Sequence, residues 1–108
     1  MVRIHASQIT PPALPALIRR LMPAQGSVEV QHDQPGKCHD WHAHPTDETL
    51  VVLDGGLRFY WTGGERLCGP GDVIHLPAGT RHGSEALAAG VTYLIAPVIV
   101  ALDPAAAA

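Results

Sequence analysis

Two imidazoles two residues apart, followed four residues later by a carboxylate, are the groups best suited to chemistry here. They are His42, His44 and Glu48, in the stretch Gly36 to Gly55 that reads G-K-C-H-D-W-H-A-H-P-T-D-E-T-L-V-V-L-D-G. A strand places residues i and i+2 on one face, so His42 and His44 can point the same way. Their separation along a strand is roughly 6.6 Å, close enough to converge on one ion. Glu48 would lie roughly 13 Å further on along a straight strand, too far for that ion. The chain must therefore fold back between them. Pro45-Thr46-Asp47 carries the turn chemistry for it, Pro fixing φ and Asp capping. The spacing predicts a strand ending near His44, a tight turn, and a new strand opening at Glu48.

The elements that must position these groups are short strands. Val28 and Val30 alternate with Glu29 and Gln31, Leu50 to Leu53 is continuously apolar, and Leu57, Phe59 and Trp61 alternate with Arg58 and Tyr60. Val73 to Leu76 and Val91 to Ile95 are two more β-rich runs. Glycines at 55, 63, 71, 79 and 90 mark turns at intervals of eight to eleven residues. Such spacing is the pattern of an all-β sandwich or barrel. One helix is expected from Pro12 to Met22. There Leu14, Leu17, Ile18 and Leu21 form one apolar face, and Arg19 and Arg20 suit the C-terminal end of the dipole. Its apolar face should cover one side of the barrel or a neighbouring subunit.

With 108 residues, the chain reads as one domain. We divide it into an N-terminal arm and helix (1–26), a barrel (27–102) and a low-complexity tail (103–108) expected to be disordered. A net charge of −3 argues against nucleic acid as a partner. The longest apolar run, Val91 to Leu102, is broken by Thr92 and Pro97 and is too short to span a membrane. Arg19 and Arg20 follow the apolar segment Ala13 to Ile18, the reverse of a signal-peptide order. The expected compartment is the cytoplasm, with Cys38 and Cys68 as reduced thiols.

A second chemical stretch, Gly71-Asp72-Val73-Ile74-His75-Leu76-Pro77-Ala78-Gly79-Thr80-Arg81-His82, completes a pattern. Together the two stretches resemble the cupin superfamily. Its first motif is matched by Gly36, His42, His44, Glu48 and Gly55, and its second by Gly71, Pro77, Gly79 and His82. Ala86 stands where the second motif carries Asn, which puts the packing after His82 in question. The resemblance covers about Val28 to Ala96. It implies an all-β, cupin-type jelly-roll β-barrel with a metal inside its open end, held by His42, His44, Glu48 and His82. Three imidazoles and a carboxylate suit one divalent transition metal ion: Fe, Mn, Ni, Co, Cu or Zn. On a six-coordinate ion they leave two positions open. The resemblance also implies a homodimer, with residues 1 to 12 available to extend a sheet across the interface.

The remaining candidates are read more plainly. Asp47 serves the turn, His39 is out of parity with His42 and points out of the barrel, and Cys38 shares the parity of His42 and lines the cavity. His75 sits on the outer face or at a dimer contact. Trp41, Phe59, Trp61 and Tyr93 form core or cavity wall, and Arg58 and Arg81 lie on the surface. No catalytic residue is assigned; Tyr60 and Tyr93 are the available bases. Three functions stay open: a metal-dependent dioxygenase on a small organic molecule, which we favour, a non-redox metal-dependent isomerase or lyase, and a non-catalytic small-molecule- or metal-binding module.

Overall fold

The computed structural model describes residues 1–6 and 14–102. The start of the helix at Pro12 and the tail 103–108 lie outside them. Seven strands and one helix follow in order: β1 (Arg3–His5), α1 (Leu14–Leu21), β2 (Glu29–Asp33), β3 (Cys38–His42), β4 (Glu48–Trp61), β5 (Gly64–Cys68), β6 (Val73–Leu76) and β7 (His82–Ala96). The strands form one antiparallel sheet in the order β1-β6-β4-β7-β2, with β3 added to β7 and β5 added to β4.

The long strands β4 and β7 are the frame. They pair from Thr49 opposite Ala96 to Trp61 opposite His82, with register shifts around Asp54 to Leu57. On one side of those shifts they carry β6, β1 and β2; on the other they carry β5 and β3. The sheet thus turns a corner at mid-strand, and its two halves face each other. Gly55 and Gly90 make that corner, both with positive φ (79° and 72°). A Cβ on Gly55 would run into the carbonyl oxygen of Gly90, so only glycine fits there.

The corner also changes which residues face inward. Leu50 and Val52 on β4 join the inner core, and so do Leu57 and Phe59, although Leu57 is an odd number of positions, five, beyond Val52. On β7 the inward set changes likewise, from Ala86 to Val91 and Tyr93. An extra residue at a bulge exchanges the two faces of everything beyond it.

Outside this inner core lies a second one. Val51, Val73, Leu94 and Ala96 point outward from the sheet and are covered by Leu17 and Leu21 of α1 and by Leu102. This is why Leu50 to Leu53 is apolar without alternation: that stretch is packed on both faces. The helix covers its own barrel, with Leu17 and Leu21 nearly inaccessible. The segment Arg3–His5 pairs with β6 and forms one edge of the sheet.

Candidate metal centre

The turn predicted between His44 and Glu48 is present: β3 ends at His42, Pro45 and Thr46 bend, and β4 opens at Glu48. Asp47 serves that turn, its carboxylate accepting a hydrogen bond from the Ala78 amide at 2.7 Å. The Gly79 amide donates to the His44 carbonyl at 2.8 Å, which ties the turn to the loop before His82. Across the sheet His42 stands opposite His82. The three histidines meet there. Ring centroids are 4.6 Å apart for His42 and His44, 4.3 Å for His42 and His82, and 4.9 Å for His44 and His82. Their ligating nitrogens lie within 4.8 Å of one another, a group that could hold a metal ion.

Two of the rings are held for that task by backbone carbonyls. His42 Nδ1–H donates to the Asp40 carbonyl at 2.5 Å and His82 Nδ1–H to the Thr80 carbonyl at 2.8 Å. A carbonyl only accepts, so both rings keep an Nε2 lone pair. Phe59 stacks on His82 at 5.6 Å and fixes its plane. Burial, helped by the neighbouring His42 and His44, pulls the His82 pKa below its ordinary value, against the bond to Thr80, and so favours the neutral form that a ligand needs. His44 Nε2 is buried with no hydrogen-bond partner. Such an orphaned atom costs about 1–3 kcal/mol unless something satisfies it. A cation at the three-histidine focus would do so, and neutral nitrogen donors suit a divalent transition metal. The residues fit the ion that the sequence pattern implies.

Glu48 is brought to the same cavity but not into the converging group. Its carboxylate lies 3.5 Å from His44 Nδ1. Burial raises its pKa, and the nearby His44 and His42 only partly offset this.

These four side chains sit on one wall of a cavity of about 350 Å³ between the two half-sheets. Leu50, Leu57, Phe59 and Ile95 supply apolar wall. Glu29, Gln31, His39, Ser84 and Tyr93 supply polar wall, and no Lys or Arg lines the cavity among the described residues.

Several expectations are corrected here. His39 does not point out; it lines the cavity, and Cys38 is exposed instead. The cause is a bulge in β3: His39 stands opposite Ser84 and His42 opposite His82, so Asp40 and Trp41 together face the single residue Gly83. The extra residue reverses the alternation on which the parity argument relied. Trp41 is not wall either; it is 46% exposed and packs edge-on against Tyr60. Ala86 raises no packing problem. It is buried in the inner core, and its amide and carbonyl bond to Lys37 and Gly36 at 2.9 Å. His75 is half-covered on β6, its Nε2–H donating to the Val100 carbonyl at 2.8 Å. Arg58 lies at the surface, paired with Glu85 and Glu65, and Arg81 is exposed.

One group was missed. Asp33, at the end of β2, is only 3% exposed and accepts three hydrogen bonds: from Gln31 Nε2 (2.9 Å), His39 Nε2 (2.9 Å) and the Tyr93 hydroxyl (3.2 Å). Burial alone would raise its pKa, but the bonds from Gln31, His39 and Tyr93 outweigh it and hold the carboxyl below the usual range. Burial and the adjacent Asp33 push the Tyr93 hydroxyl well up, so it stays a donor. The polar parity Glu29-Gln31-Asp33 on β2 was the available signal: Glu29 and Gln31 line the cavity, and Asp33 lies buried behind His39 and Tyr93.

The family model of the cupin domain matches residues 29–95. The chain belongs to the cupin family. Among curated proteins this cupin is similar to the acireductone dioxygenase of Rhodopseudomonas palustris, at 34% identity over 70 residues. That match covers 56% of this chain and 42% of the relative, so the cupin spans less than half of that protein's length. Among solved structures it resembles a protein of unknown function from Rhizobium leguminosarum bv. viciae (TM-score 0.62, 20% identity, 66% of this chain and 67% of that one). It also resembles the DMSP lyase DddQ of Ruegeria pomeroyi (TM-score 0.61, 25% identity, 69% and 42%) and an oxalate decarboxylase variant of Bacillus subtilis (TM-score 0.57, 25% identity, 63% and 19%).

Proposed function

We propose that this cupin is a metal-dependent enzyme acting on a small organic molecule, with His42, His44, His82 and Glu48 as the ligands of one divalent transition metal ion. The observation that carries the reading is the focus of three imidazoles around the partnerless, buried His44 Nε2. Glu48 is the fourth ligand: it lines the same cavity beside His44, on a flexible side chain. Bound there, the ion supplies Lewis acidity and, if it is Fe, Mn or Cu, one-electron chemistry. The protein supplies the rest. His42 and His82 are fixed by the Asp40 and Thr80 carbonyls, and the apolar wall of Leu50, Leu57, Phe59 and Ile95 limits water around a bound molecule. A cavity lined by no Lys or Arg among the described residues, and with Glu29 and Glu48 in its wall, disfavours phosphorylated or dianionic substrates. A neutral or singly charged molecule with two adjacent oxygens fits this charge balance.

We favour oxygenase chemistry, supported by the similarity to an acireductone dioxygenase. The test is elemental analysis of protein from its native host, followed by O₂ uptake with the metal restored. Bound Fe, Mn or Cu and metal-dependent uptake with catechol, thiol or enol substrates are expected. Absence of uptake across such a panel would remove the oxygenase version. A second reading, non-redox proton transfer as in an isomerase or lyase, is favoured by His39, which lines the cavity with buried Asp33 bonded behind it. Turnover under anaerobic conditions with Zn would select it.

A further inference from the structure

We propose that His39, oriented by Asp33, is the proton-accepting base of this cavity, removing a proton from a molecule held at the three-histidine centre. The inference rests on the metal-enzyme reading above and names a residue for a step that reading leaves without one.

The geometry assigns each atom. Asp33 is buried and its Oδ2 lies 2.9 Å from His39 Nε2. A carboxylate held ionised only accepts, so Nε2 carries the hydrogen. Nδ1 then keeps its lone pair, and it has no hydrogen-bond partner among the described residues. The ring lines the same cavity as His42, His44 and His82. It comes from the same strand as His42, but the bulge at Asp40 and Trp41 sets it inward from a separate position. The Tyr60 hydroxyl donates to the His39 carbonyl at 3.3 Å and braces the bulge. This is a base oriented by a third group, the general arrangement for activated proton transfer.

The other candidate bases are weaker. The Tyr93 hydroxyl spends its hydrogen on Asp33, and its ionisation is disfavoured by burial and by that carboxylate. Tyr60 donates to a backbone carbonyl. Asp33 itself is shielded behind His39, Tyr93 and Gln31, and is a positioning residue. In the step proposed, a C–H bond next to a carbonyl breaks, the proton passes to His39 Nδ1, and the electron pair delocalises onto the carbonyl oxygen. The imidazolium formed is stabilised by Asp33, and reversal returns a proton from solvent.

Hydroxyacetone is a suitable probe: small, neutral, with two adjacent oxygens. The chain loaded with Zn²⁺ is incubated with it in D₂O, and exchange of its CH₂OH hydrogens is followed by proton NMR. Exchange faster than with free Zn²⁺ is expected. His39→Gln should lower it about 100-fold or more with unchanged zinc content, the usual scale of a lost general base. Added imidazole should restore part of the rate to His39→Ala, which a merely structural role would not allow. Independently, long-range ¹H–¹⁵N NMR of the metal-free chain should show His39 protonated on Nε2, and Asp33→Asn should disturb that assignment. Undiminished exchange in His39→Gln, no exchange by the zinc-loaded chain, or a proton on Nδ1 would overturn the inference. A chain that retains no zinc by elemental analysis would instead overturn the metal reading, with the NMR result still judging His39.

Discussion

At the scale of single residues, the gathering of His42, His44 and Glu48 in one cavity was legible because a short spacing meets a forced turn. His42-x-His44 and Glu48 need only strand geometry and Pro45 to come together, and the structure brings them to one cavity. His82 was legible only through the second motif, since nothing local links it to residues forty positions earlier. Two outcomes follow for individual side chains. His42→Ala or Glu48→Gln should lose most of the metal bound by the wild-type chain under elemental analysis; full retention in either would contradict its place in the set. Asp33 makes a prediction about pH. Its folded carboxyl titrates below an unfolded one, near ~3.9. Its contribution to stability is therefore complete above that value and is lost as pH falls through the folded pKa. Asp33→Asn should destabilise by about 1–3 kcal/mol at neutral pH, since three donors lose a charged acceptor. The gap between wild type and variant in thermal melting should narrow as pH drops below ~4; a gap that is constant with pH would contradict the charged network.

At the scale of elements, the strands and the helix were readable from periodicity, but their facing was not. The helix face Leu17-Leu21 and the doubly buried Leu50 to Leu53 needed only pattern. The bulge in β3 and the corner in β4 and β7 depend on cross-strand partners far away in sequence, so residue counting put His39 outside and Cys38 inside. The same physics makes the corner sensitive to length. One glycine inserted between Gly55 and Gly56 would turn Arg58 and Tyr60 inward and Leu57 and Phe59 outward, or force a new bulge. Such a chain should not fold cooperatively. An extra glycine in the β4–β5 turn, between Gly63 and Gly64, changes no facing and should leave a melting transition near that of the parent. Equal melting of both insertions would disprove the inward–outward assignment.

At the scale of the molecule, the architecture followed from turn spacing and from two motifs, whereas the second half of the cavity did not. The parity of Glu29, Gln31 and Asp33 says only that they share a face; they meet Tyr93 because β2 and β7 lie side by side, with Gln31 opposite Tyr93. The cavity is therefore two-sided: a nitrogen-rich wall from β3, the turn and the start of β7, and a hydrogen-bonding wall built around Asp33.

Both walls are carried by one pair of strands. Because β4 and β7 run unbroken through both half-sheets, there is no joint about which the cavity could open like a jaw. Its contents must come and go through the mouth between the strand ends. The two halves should also lose their hydrogen bonds together. In native-state hydrogen exchange, the slowest amides near Val51 and Leu94 and those near Phe59 and Ser84 should share one opening free energy, that of global unfolding. Distinct values for the two sets would show that the corner at Gly55 and Gly90 is a hinge after all.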